Sequence, residues 1–223
     1  MIYRIASFVW KALLIIIFLR PFLSEYVFLT VGFWYIFSLI LLSSIYLVLT
    51  NKKVIFLSAS SFSIFLFIIA ILISIIFSGF TSFSLFELYL FVPNILIFYV
   101  VSRIRPEQQK QLIATVFLAA IIISIYAVYQ YFIGFRHTLE YIGQTGFNKY
   151  TKELEILSRK RAFATFISPN IFVSYIAMML FFGMGFLITV RQKKKSILWI
   201  CIAIFIMIIS LLLTKSLGGN LIF

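Results

Sequence analysis

The sequence predicts an all-α, polytopic bundle of transmembrane helices. Three observations carry this: 64% hydrophobic against 11% charged residues, continuous apolar runs close to the ~20 residues that cross ~30 Å of hydrocarbon, and basic residues clustered in the gaps between runs. The mean hydropathy is +1.16, whereas a soluble domain is about half apolar and about a quarter charged. A chain of 223 residues has too much surface for its interior to hide this quantity of Phe, Ile and Leu. Barrel strands would be about ten residues long with strict alternation. A helix satisfies its own backbone in lipid, so these runs are expected to be helices.

The first apolar run, residues 5–19, is short and holds Lys11, with Arg20-Pro21 close behind. Basic residues beside an apolar core resemble a leader peptide. No small-x-small cleavage pattern follows, and a second run begins almost at once, so an uncleaved helix is expected. Runs 26–49 and 54–77 lie on either side of Asn51-Lys52-Lys53. Run 85–101 carries Glu87 near one end and Pro93-Asn94 inside, where proline can kink a helix. Run 112–133 follows the basic stretch from Arg103 to Lys110, and runs 169–190 and 196–213 flank Arg191-Gln192-Lys193-Lys194-Lys195. Gly183-Met184-Gly185 in the sixth run suits close helix packing. Seven spans result.

The three basic clusters are expected on the cytoplasmic side. Two spans separate each from the next, so the assignments agree, and the N-terminus is also cytoplasmic. The residues after Leu213 and the loops 20–25, 78–84 and 134–168 then face outward. The last of these loops is far longer than the rest and has no apolar pattern, a property of functional or disordered segments. It holds the sole histidine, His137, and is basic despite facing outward: Arg136, Lys149, Lys152, Arg159, Lys160 and Arg161 stand against Glu140, Glu153 and Glu155. At the other end, Asn220-Leu221-Ile222-Phe223 opens a new apolar stretch after Gly218-Gly219. The chain is therefore expected to be the N-terminal portion of a longer protein, stopping as an eighth helix starts.

The net charge of +13 follows the membrane gaps, and no zinc-finger, recognition-helix or RNA-binding motif accompanies it, so nucleic acid is not an expected partner. Cys201 lies within an apolar run and has no disulfide role. One histidine and six scattered glutamates make a poor metal site.

Two segments carry the chemistry. In Arg161-Ala162-Phe163-Ala164-Thr165-Phe166-Ile167-Ser168-Pro169-Asn170, Ser168 suits a helix N-cap and Pro169 the first helical position. The helix N-terminus then lies beside Arg159, Lys160 and Arg161 and makes an anion site, though basic residues meeting lipid phosphates would give the same pattern. In Thr214-Lys215-Ser216-Leu217-Gly218-Gly219, the glycines permit a turn and Lys215 adds a cation; a snorkelling lysine at an ordinary turn is the plain alternative.

In order and spacing the two segments resemble the O-antigen ligase/polymerase family. Its members carry a pattern close to Arg-x-x-Gly-Thr-Phe-x-x-Pro-Asn before one helix and a Thr-x-Ser-Arg-Gly-like segment at the end of the next. Arg161, Thr165, Phe166, Pro169 and Asn170 match the first, with Ala164 in place of glycine. Thr214, Ser216 and Gly218 match the second, with Leu217 in place of arginine. The resemblance implies glycosyl transfer on the outer side of the bacterial cytoplasmic membrane. Its donor would be a glycan on undecaprenyl diphosphate, and its acceptor lipid A–core or another glycan. It implies no metal and no nucleotide cofactor. Arg161 and Lys215 would contact the diphosphate, and the family's histidine base would lie in a later outer loop, so this portion alone is expected to be inactive. A transporter of a small solute or lipid is the alternative, to which the Pro93-Asn94 interruption points; a non-catalytic membrane scaffold is a third reading.

Overall fold

The computed structural model describes residues 2–23, 25–50, 59–134, 137, 160–166, 168–189 and 194–216. Over these residues the regular structure is helical: α1 (Ile2–Leu19), α2 (Glu25–Leu49), α3 (Ala59–Ile76), α4 (Thr81–Val101), α5 (Pro106–Tyr129), α6 (Pro169–Thr189) and α7 (Lys194–Leu213). A 3-10 turn, Arg20–Phe22, extends α1, and a π-helical turn, Gln130–Gly134, extends α5. Five stretches are long and apolar enough to cross a membrane: Tyr3–Phe22, Val31–Leu49, Thr81–Val101, Pro106–Gly134 and Pro169–Ile188. Phe62–Ile76 and Ile197–Leu213 are apolar but shorter. The protein is a helical membrane protein. Each of the seven expected runs coincides with a helix, while five of those helices reach spanning length among the described residues.

The boundaries differ most where charge or small polar residues hide a helix start. The α4 helix begins at Thr81 and α5 at Pro106, several residues ahead of their apolar runs. Pro106 occupies the first turn, where a missing N–H costs nothing, and Glu107 lies in that turn, complementing the helix dipole. Pro93 lies inside α4, which is continuous through it. Residues 51–58 and 217–223 fall outside the described residues, and with them the start of the third run, Gly218 and the expected eighth helix. Of the long loop 134–168, the described residues are 134, 137, 160–166 and 168.

The chain divides into two compact units. Residues 1–17 and 29–110 form the first. There α3 packs against α4, the buried Trp10 ring lies 5.6 Å from that of Tyr46, and the Tyr46 hydroxyl donates to Gln108 Oε1 at 3.0 Å. Tyr89 on α4 donates to the Phe33 carbonyl on α2 at 2.9 Å, and the two rings stack.

Residues 18–28 and 111–223 form the second unit. Its core joins Phe117, Ile123 and Ala127 of α5 to Phe172, Ile176 and Leu180 of α6 and to Met207 and Leu211 of α7. Ile171, Met178, Phe181 and Phe182 of α6, like Phe205 and Leu212 of α7, are equally apolar but exposed. A helix apolar on every side is what lipid surroundings require. The α6–α7 pair comes close at Gly183: a Cβ there would lie 3.0 Å from both Ile204 Cγ1 and Phe117 Cε2. Without a hydrophobic driving force between helices in lipid, such close approach supplies the van der Waals contact that holds them.

Candidate functional site

The α6 and α7 helices run in opposite directions, so the start of α6 and the end of α7 meet. The two sequence segments singled out above flank that meeting point. Before α6, residues 160–166 form neither helix nor strand. Their backbone still needs partners, because Ala162 and Ala164 are buried. The end of α7 has the complementary need: its last carbonyls have no partner within the helix. The Ala162 N–H donates to the Leu213 carbonyl at 3.1 Å, and Arg161 Nε donates to the Thr214 carbonyl at 2.7 Å. The same guanidinium donates through Nη2 to Asn170 Oδ1 at 3.2 Å. Asn170 Oδ1 also accepts from Ser216 Oγ at 2.9 Å. Arg161, Asn170, Thr214 and Ser216 are thus joined in one polar junction, although up to 55 positions of sequence separate them.

The other residues of the two segments take supporting places. Ser168 caps α6: its Oγ accepts the Ile171 N–H at 3.3 Å, and Pro169 follows, buried, at the first helical position. Thr165 Oγ1 donates to the Pro21 carbonyl in the 3-10 turn after α1. Phe166 packs against Phe172 and Tyr175, with ring centroids 5.6 and 5.3 Å apart. Thr214 is fully buried and returns its hydroxyl to Leu211. The Lys215 N–H donates to Leu212 with Lys215 at φ 50°, a left-handed helix ending of the kind glycine usually supplies.

Two side chains that sequence reasoning did not single out complete the site. Gln130 and Tyr131 open the π-helical turn after α5. Gln130 is 1% exposed. Its Oε1 accepts the N–H groups of Phe163 at 3.1 Å and Ala164 at 2.9 Å, and its Nε2 donates to the Ala164 carbonyl at 3.3 Å. The Tyr131 ring lies beneath two ammonium groups, Lys160 Nζ at 4.9 Å and Lys215 Nζ at 5.6 Å from its centroid, within the range of cation–π attraction. Nothing in an uninterrupted apolar run marks these positions; only the π turn brings them to this end of the unit.

No family model, curated protein or solved structure matches the chain.

Among the described residues the charges at this end are of one sign. Arg161 compensates the negative end of the α7 dipole, while the positive end of α6 stands beside it. Lys160 and Lys215 are exposed and drawn to one ring in spite of like charge. The described residues of this unit include a single acidic residue, Glu25. The guanidinium has more N–H donors than its two bonds use. Such a set fits a multiply charged oxyanion. Among the described residues no three His, Cys, Asp or Glu come together to hold a metal ion.

Strain marks the same place. Among the described residues, three other than glycine have positive φ: Lys160 at 47°, Ala164 at 53° and Lys215 at 50°. Each costs about 1–2 kcal/mol relative to ordinary backbone. Ala164 and Lys215 lie in the two segments and Lys160 immediately precedes the first, and two of the three are the cations over Tyr131. A glycine would relieve the strain at either lysine and discard the charge, and concentrated strain of this kind is typical of working sites.

Proposed function

We propose that this chain belongs to an O-antigen ligase-like glycan transferase of the bacterial cytoplasmic membrane, and that the α6–α7 junction holds the diphosphate of an undecaprenyl-diphosphate-linked glycan on the outer face. One observation carries the reading. Arg161, Asn170, Thr214 and Ser216, drawn from the two segments that resemble the family, share a hydrogen-bonded junction with Lys160 and Lys215 beside it. Lipid-exposed helices deliver the polyprenyl tail to the level where the cations stand.

In the transfer, an acceptor hydroxyl on lipid A–core or another glycan attacks the anomeric carbon. The new glycosidic C–O bond forms as the bond to the diphosphate breaks. Undecaprenyl diphosphate leaves with the electron pair, and the hydroxyl proton passes to a base. Arg161, Lys160 and Lys215 stabilise the charge growing on the leaving diphosphate, and fixed donors aimed at developing charge are a large catalytic term. The resemblance implies that the base lies in a further outer loop of the family; Arg161, Asn170, Thr214 and Ser216 include neither carboxylate nor imidazole.

Equilibrium binding to the purified protein in lipid nanodiscs tests the reading. Undecaprenyl diphosphate should bind, and the neutral polyprenol should bind at least tenfold more weakly. Lys160→Ala combined with Lys215→Ala should reduce diphosphate affinity roughly tenfold or more, since a hydrogen bond to a charged group contributes about 1.5–3 kcal/mol and about 1.4 kcal/mol is tenfold. Equal affinity for alcohol and diphosphate, or an unchanged affinity in the double variant, contradicts it.

A further inference from the structure

We propose that Gln130 is the positioning residue of this junction, acting through the backbone of Phe163 and Ala164 to hold Arg161 in its anion-binding pose. The binding part of this proposal rests on the function proposed above; the positioning part does not.

The N–H groups of Phe163 and Ala164 converge on one point. Consecutive N–H groups that converge make a small concavity suited to a negative oxygen. Gln130 Oε1 fills it, and Nε2 closes the ring by donating to the Ala164 carbonyl. These three bonds hold the middle of a stretch outside any helix, where Ala162 and Ala164 are buried. On the opposite side the stretch is held at Ala162 and Arg161 by the end of α7. Arg161 therefore sits at the end of a short strap that Gln130 holds at its middle, with the Thr165 bond to Pro21 beyond it. If the Gln130 bonds are lost, only the Phe166–Phe163 turn, the Thr165 bond to Pro21 and core packing hold Ala164 at φ 53°, and the strap loosens between Ala162 and Thr165.

The local backbone around Gln130 is itself unusual. It stands in a π-helical turn, a costly local form that concentrates at functional sites. The same turn supplies Tyr131, the ring beneath Lys160 and Lys215. Gly134 closes the turn against Tyr129, where a Cβ would lie 2.8 Å from Tyr129 Cε1. One five-residue turn thus sets both the strap and the lysine pair.

Gln130→Met, which keeps length and volume but offers no comparable hydrogen bond, provides the test, with two readouts. In amide exchange, Phe163 and Ala164 should lose at least tenfold protection, while Ala162 and the centres of α6 and α7 keep theirs. In nanodiscs, undecaprenyl diphosphate affinity should fall about tenfold, and by much less when Gln130→Met is added to Arg161→Ala, because both changes disable the same contact. Unchanged exchange at Phe163 and Ala164 overturns the clamp, and additive affinity losses overturn its action through Arg161. Should Gln130→Met not fold, Gln130→Glu keeps both N–H acceptances and gives up only the Nε2 donation to Ala164: protection at both amides should stay within about threefold of native, and a tenfold loss at either overturns the clamp. If the native protein binds no diphosphate yet the exchange pattern holds, the ligand reading fails and the clamp stands.

Discussion

Arg161→Ala is expected to destabilise the protein by about 2–3 kcal/mol and to lower diphosphate affinity by roughly 10–100-fold. The stability loss has a specific cause. Arg161 gives its Nε–H to the carbonyl of Thr214, a fully buried residue at the end of α7, and a second N–H to Asn170. Truncation leaves that carbonyl without its charged donor and removes the cation that offsets the negative end of α7. Asn170 Oδ1 keeps its bond from Ser216, so the junction loosens rather than collapses. The affinity loss comes from the remaining N–H donors of the guanidinium. Arg161→Lys separates the two effects. It restores charge but not a planar fork, so affinity should recover in part while the bonds to Thr214 and Asn170 do not re-form together. Denaturation in detergent and nanodisc binding, measured on both variants, check this pair of outcomes. Full recovery of stability by lysine would contradict the assigned geometry.

Ala164→Val is expected to cost about 2–4 kcal/mol. Ala164 is 4% exposed with φ 53°, and a β-branched residue at positive φ is an outlier even where space allows. Extra methyls would also press on the core that Ala164 shares with Ala162 and Phe172. Glycine at this position should stay within about 1 kcal/mol of the native protein, because relief of about 1–2 kcal/mol of backbone strain is offset by about 0.8 kcal/mol for a buried methyl and about 0.5–1 kcal/mol for glycine's greater chain entropy. Detergent unfolding midpoints for Val, Ala and Gly at this position give the order directly. The family pattern noted earlier carries glycine where Ala164 stands, and the left-handed backbone is a physical reason for one.

The fold was largely legible in the sequence because lipid imposes a blunt rule. A run such as 26–49 or 169–190 is apolar on every side, and little but a helix suits it. Helix ends follow a different rule from helix interiors, since α4 and α5 start several residues ahead of their apolar runs. Pro106 to Lys110 looks like a loop by charge, yet it is the first turn of α5, where proline and an acid are welcome. At the site, the two segments could be found because Arg161, Pro169, Asn170 and Thr214 are unusual residues beside a bilayer. Their joining through Asn170 Oδ1 could not be read from sequence, since it depends on two antiparallel helices meeting. Gln130 was invisible for another reason: a lone glutamine in an apolar run shows neither its burial nor the π turn that redirects it. The Thr165 bond to Pro21 spans 144 positions, and local pattern has no access to such a partner.

Lysine labelling offers the most direct test that this end of the unit grips a phosphorylated lipid outside the cytoplasm. A membrane-impermeant amine reagent is applied to intact cells, and modification at Lys160 and Lys215 is read by mass spectrometry with and without added undecaprenyl diphosphate. Both lysines should label from outside, and the lipid should protect both. Labelling that requires opened membranes, or that the lipid leaves undiminished, would contradict the account.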